Sequence, residues 1–103
     1  MSVDSVFAAL ADPTRRALLE LLGQRASATA TALAAELPVS RQAVGQHLAV
    51  LEAAGLVARH RSGREVLFSV DATELATAAA WLTDRARAWQ LRLTALKQRA
   101  EEG

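Results

Sequence analysis

Three side chains near the middle of the chain carry paired hydrogen-bonding groups: Arg41, Gln42 and Gln46. Arginine matches the two acceptors on the guanine edge, and glutamine matches the donor–acceptor pair on adenine. They follow Ser40, a residue type that caps helices, and the free N–H groups at a helix start can hold a phosphate. Arg59, Arg61 and Arg64 come next, around a Ser62-Gly63 turn, where cations suit a nucleic-acid backbone or a narrow minor groove. The chemistry on offer is recognition of a duplex rather than the making of bonds.

The charge distribution agrees. Net charge is only +1, but between residues 41 and 64 four arginines and two histidines (His47 and His60) face a single acid, Glu52. Before Arg41 there are three basic and four acidic residues, and after Val70 five of each. A local cationic patch on a near-neutral body suits a protein that touches phosphates at one face. Without a helix-turn-helix beside it, the same charge would read as ordinary solvated surface. Arg15 and Arg16 are further phosphate candidates, although ion pairs within the domain are the commoner fate of such residues.

The positioning elements follow from periodicity and punctuation. A first helix spans Val3 to about Leu10, with Val6, Phe7 and Leu10 on one face. Asp12-Pro13 is a cap followed by a preorganised first helical residue, so a second helix runs from Pro13 to about Leu22, burying Leu18, Leu19 and Leu22 and stopping at Gly23. The third starts near Ser27 or Thr29 and ends at Leu37, because Pro38 cannot continue it. Ser40 caps a fourth helix reaching about Ala54, before Gly55. At about 100° per residue, Val44, Leu48 and Leu51 form its buried seam, with Gln42, Gln46, Ala49 and Ala53 opposite and Arg41 and Gly45 to one side. His47 lies about 60° from the seam, equally suited to a groove contact and to packing on the body.

Residues 56–70 read as a β-hairpin whose second strand alternates Val66, Phe68 and Val70 on one face. Together the parts are a helix-turn-helix (29–54), a wing (56–70) and a last helix (71–101). The fold is mainly α with one small hairpin, a single winged helix-turn-helix domain over 1–103.

The last helix, of about 28 residues, is longer than so small a domain is wide. Leu75, Leu82, Trp89 and Leu96 recur every seven residues, each followed four later by Ala79, Ala86, Leu93 or Ala100. Trp89 and Leu93 would stay wet on a lone chain, and burying such side chains yields about 1.5–3 kcal/mol each. The expectation is a homodimer through this helix, joined by Val3 and Phe7 of the first, with two reading heads set for an inverted repeat.

Three segments carry a resemblance. Ala-Leu-Ala-Asp-Pro-Thr-Arg-Arg-Ala-Leu-Leu (9–19), Leu-Ala-x-Glu-Leu (33–37) and Val-Ser-Arg-Gln-Ala-Val-Gly-Gln-His-Leu-Ala-Val-Leu (39–51), then Ala-Gly-Leu-Val (54–57) and a basic wing, resemble the ArsR family of bacterial winged-helix repressors. The resemblance covers nearly the whole chain. It implies a homodimeric, DNA-binding transcriptional repressor of order α1-α2-α3-α4-β-β-α5, with positions Ser40 to His47 reading DNA. Metal-sensing members carry a cysteine motif in the third helix or a His/Asp/Glu set in the last. This chain has no cysteine, and both histidines lie elsewhere, so a metal-free, autorepressor-like type is expected, with no cofactor. Gly45 stands where a small polar residue is usual, which either allows close approach to the groove or removes one base contact.

The candidate DNA-facing set is therefore Ser40, Arg41, Gln42, Gly45, Gln46, His47, Arg59, Arg61 and Arg64. The candidate dimer set is Val3, Phe7, Leu75, Leu82, Trp89, Leu93 and Leu96. An enzyme is disfavoured because no glycine-rich phosphate loop, paired-carboxylate pocket or nucleophile–base arrangement occurs. A winged-helix protein-interaction module without DNA binding is the remaining alternative, although such modules usually lose the cationic wing. With no leader and no long apolar run, the expected location is the cytoplasm.

Overall fold

Four short polar side chains set where the first four helices begin. In a computed structural model, which describes residues 2–103, Ser2, Asp12, Thr29 and Ser40 each take an extended backbone and accept a hydrogen bond from an N–H of the following first turn. They open α1 (Val3–Leu10), α2 (Pro13–Gly23), α3 (Ala30–Ala34) and α4 (Arg41–Ala53). Two antiparallel strands follow, β1 (Val57–Ser62) and β2 (Glu65–Val70), and then the 30-residue α5 (Thr73–Glu102). The order is the one expected.

The core lies where α2, α3, α4 and the base of the wing meet. Leu18, Leu22, Leu33, Val44, Leu48, Leu51 and Leu56 are essentially sealed from solvent, so the predicted α4 seam is the centre of the packing. α4 ends in a Schellman arrangement. Gly55 takes φ +76°, its N–H donates to Glu52 O (3.0 Å), and the Leu56 N–H donates to Leu51 O (2.9 Å). That closure turns the chain straight from α4 into β1.

The corner between α1 and α2 accounts for the Asp-Pro-Thr-Arg-Arg run. Arg15 Nε donates to Ala9 O (2.6 Å), Arg15 Nη2 to Ala8 O (3.1 Å) and Arg16 Nη1 to Leu10 O (2.6 Å). These are carbonyls of the last turn of α1, at the negative end of its dipole, and Ala8 O also accepts the Ala11 N–H. Both arginines, candidates for phosphate contact on charge alone, are occupied in closing a helix. Asp12 receives the N–H groups of Thr14 (2.7 Å) and Arg15 (3.3 Å).

Three boundaries and one strand-face assignment differ from expectation. α3 stops at Ala34 instead of Leu37, because the Glu36 N–H bonds back only three residues, to Leu33 O, tightening the turn that leads into Pro38. Gly23 does not terminate α2; it is the last helical residue, and Gln24 caps in the right-handed region. The hairpin loop is Gly63-Arg64, since Ser62 pairs with Glu65, and Gly63 at φ +62° in the first central position fits a type II′ turn. Val70 was placed on the buried strand face but is 37% exposed. A further pairing was not expected: Ala28 and Phe68 exchange two backbone bonds (3.0 and 2.8 Å), tying β2 to the connection before α3.

α5 packs on its own body only near its start. Ala78 is buried, and Trp81 meets Phe7 edge-on at 5.9 Å between ring centroids, with the Arg85 guanidinium 5.0 Å from the Trp81 ring. The remainder runs free, and the molecule measures 70 × 25 × 21 Å. Among the described residues, no helix is long and apolar enough to cross a membrane.

Candidate nucleic-acid interface

With Val44, Leu48 and Leu51 buried, helical geometry fixes what α4 can offer. Gln42 and Gln46 flank the pole opposite the seam and are exposed, with Ala49 and Ala53 extending that face. Ser40 spends its hydroxyl oxygen as a cap, accepting the Ala43 N–H at 3.0 Å, and leaves its O–H free to donate. Arg41 and Gly45 occupy one flank, His47 the other.

The flank of Arg41 and Gly45 faces the wing. Glu52, on the same side, accepts from Arg59 Nε of β1 at 3.2 Å. Between helix and wing lies a cleft of about 630 Å³, walled by Arg41 and Gly45 on one side and Arg59, Arg64, Glu65, Val66 and Phe68 on the other. Thr29 and Thr31 of the α3 start complete it. In the strand register Arg59 lies opposite Phe68 and Arg61 opposite Val66, so β1 presents these arginines on the face that Phe68 uses to reach the core. Arg61 and Arg64 are exposed at the tip. Arg59 is already engaged by Glu52.

His47 lies half-buried on the other flank, toward the α1–α2 corner. Partial desolvation pulls the Asp12 carboxyl upward. The Thr14 and Arg15 N–H groups, then the charges of His47 and Arg15, outweigh it and hold Asp12 below the ordinary aspartate value. The recognition helix is thus coupled electrostatically to the cap of α2.

Of the nine DNA-facing candidates, Arg41, Gly45, Arg59 and Arg64 line the cleft between α4 and the wing, while Ser40 caps α4, Gln42 and Gln46 are exposed on its outward pole, and Arg61 is exposed on the wing. Arg59 is paired, and His47 faces the body. Of the dimer candidates, Trp89, Leu93 and Leu96 are 56, 62 and 59% exposed, and Leu75 and Leu82 are exposed with them. Leu75 also borders an apolar groove of about 450 Å³ with Leu10, Leu19 and Val70. Val3 is half-buried. Phe7 is half-buried, with its ring edge-on to Trp81 of its own chain. Trp81 itself was missed. Glu74, Ala78, Trp81 and Arg85 form a second stripe at helical spacing, beside the louder leucine repeat.

Among the described residues, no group of three or more His, Cys, Asp or Glu side chains is placed to hold a metal ion.

Comparison with known proteins gives a consistent account. Residues 10–60 match a helix-turn-helix domain family. An HTH-type transcriptional regulator of Mycobacterium tuberculosis, Rv2034, is 44% identical over 97 residues, covering 94% of this chain and 87% of that protein. The transcriptional repressor SdpR of Bacillus subtilis is 32% identical over 80 residues, covering 78% and 88%. Among solved structures, an ArsR-like transcriptional regulator from Rhodococcus sp. RHA1 superposes with a TM-score of 0.85 at 44% identity, covering 93% of this chain and 90% of that one.

Proposed function

This chain belongs to the ArsR family of winged helix-turn-helix DNA-binding transcriptional regulators, and from that premise we propose that it is a homodimeric repressor reading an inverted-repeat operator without a metal signal. The observation that carries the reading is the combination of two exposed glutamines on the outward pole of α4 with a wing whose Arg59 and Arg64 wall the cleft on the adjoining flank of that helix. Such a surface supplies base-edge contacts and phosphate contacts together. Repression is supported by the likeness to SdpR, and a metal-free signal by the lack of cysteine.

The dimer is supported by the unpartnered face of α5, and its direction by the pattern on that face. Read about Ala86, the seam is nearly palindromic. In an antiparallel pair Leu75 meets the partner's Leu96, Ala79 the partner's Leu93, and Leu82 the partner's Trp89, with the two Ala86 residues at the axis. Charge agrees beside the seam, where Glu74 of one copy lies level with the partner's Lys97. A parallel pair would instead set Arg92 beside the partner's Lys97. Each partner's Leu96 then reaches the groove of Leu10, Leu19, Val70 and Leu75, and the two reading heads lie on opposite sides of one twofold axis. The regulator works in the cytoplasm and has no catalytic role.

Titration of labelled palindromic and scrambled duplexes with the full chain, over a range of salt, tests this. The reading requires tighter binding to one palindrome and a steep loss of affinity with salt, from counterion release. A chain that binds no duplex at low salt is the protein-interaction module instead.

A further inference from the structure

The reading of α4 as a DNA-contacting helix leaves open which side chains choose the sequence, and the wing-facing cleft bears on this. We infer that Arg41 is a phosphate clamp and not a base reader, so that selection rests on Gln42 and Gln46 and each half-site is read at adenines. This inference rests on the DNA-binding reading and deepens it.

The first argument is angular. With Val44 at zero and about 100° per residue, Arg41, Glu52 and Gly45 fall at about 60°, 80° and 100°, one continuous flank. Glu52 holds Arg59 of β1, so that flank is turned toward the wing. Gln42 and Gln46 fall about 160° to either side of Val44, straddling the outward pole. Arg41 is therefore rotated about 100° from Gln42, out of the line that enters a groove and into the cleft.

The second argument is Gly45. A Cβ built there would lie 3.2 Å from Arg41 Nη1, closer than ordinary carbon–nitrogen contact. The guanidinium thus lies back along its own helix, over the one residue in the turn that leaves it room. Glycine is a poor helix former, and at this position its missing side chain is replaced by an arginine head.

The third is charge. The cleft collects three guanidinium groups, from Arg41, Arg59 and Arg64, against two carboxylates, Glu52 at its edge and Glu65. Glu52 is engaged by Arg59, and no acid lies within 4 Å of Arg41 or Arg64 among the described residues. A strand of duplex backbone between recognition helix and wing would bring a phosphate to this pair, and arginine grips phosphate with two parallel N–H groups. Glutamine, by contrast, pairs in a bidentate way with adenine N6 and N7.

The experiment uses the full chain, selection of bound sequences from a randomised duplex, and salt titration of Arg41→Ala, Gly45→Ala and Gln42→Ala. Arg41→Ala should weaken binding to all duplexes alike and make the slope of log K against log salt shallower by about 0.9, one phosphate contact. Gly45→Ala should push the guanidinium aside by a few tenths of an ångström and weaken binding to all duplexes alike, but by less than Arg41→Ala, while melting no lower than the wild type. Gln42→Ala should keep the slope and lose about 5- to 150-fold of preference at one A·T pair. The inference is overturned by an Arg41→Ala protein that keeps its slope and loses preference at a G·C pair, or by a Gly45→Ala protein that changes base preference instead of overall affinity. Failure of the wild type to bind any duplex would reject the DNA-binding reading itself.

Discussion

The recognition head and the far half of α5 are built from similar helical patterns and meet opposite fates. On α4 the apolar seam is sealed against α2 and α3, and its polar pole is left for a ligand. On α5 the stripe of Leu82, Trp89, Leu93 and Leu96 is left bare. A helix three to four turns long can be covered by a body of this size, whereas about 45 Å of helix cannot. Length alone therefore decides whether an apolar stripe becomes a core or an invitation to a second chain.

Trp89→Glu with Leu93→Glu is the sharpest way to break that contrast. The head draws nothing from these residues, so the double variant should fold with an unchanged thermal transition at low concentration, yet sediment as a monomer. Losing the linkage between two heads should cost about 10²–10⁴-fold in affinity for a palindromic site. Dimers surviving unchanged would show that the leucine seam is not the interface. Since the chain has no cysteine, Leu75→Cys/Leu96→Cys protein also tests direction: it should cross-link between copies while either single variant does not, and a Leu96→Cys self-link would mean a parallel pair.

The complementary test strikes the head. Leu48 is fully enclosed, and Leu48→Ala should cost about 2–5 kcal/mol of folding stability, measured by denaturant unfolding. DNA binding should fall only as far as the protein unfolds. A loss under 1 kcal/mol would mean that the α4 seam is less central than its burial indicates.

Legibility in the sequence follows the same division. The starts of α2 and α4 could be read because Asp12-Pro13 and Ser40 act within three residues of themselves, and the end of α4 because Gly55 must take a positive φ. Outcomes decided by distant partners could not be read. Pro38 marks where α3 cannot continue, but not that its last turn tightens beforehand. Arg15 and Arg16 are cations in any reading, and only the folded corner brings the carbonyls of Ala8, Ala9 and Leu10 to them. Trp81 was hidden because two stripes share α5, one against Phe7 and one free, and residue spacing does not say which of them meets the chain's own body.

The smallest expected effect joins the two flanks of the head. Asp12 caps α2, and its carboxyl is held below the ordinary value: desolvation opposes this, while the Thr14 and Arg15 N–H groups and the His47 and Arg15 charges prevail. A depressed folded-state value means that the unfolded chain takes up the proton first. The ionised cap therefore stabilises the fold above the unfolded-state value, and that contribution is lost as pH falls through the folded-state value. The melting temperature should drop on acidification through the carboxylate range. Asp12→Asn keeps a side-chain oxygen able to cap but cannot titrate. Its melting curve should fall less steeply over that range, starting from a slightly lower value at neutral pH, where the attraction to Arg15 is missing. Parallel acid limbs for the two proteins would show that the link between the recognition helix and the α1–α2 corner is carried by packing and not by charge.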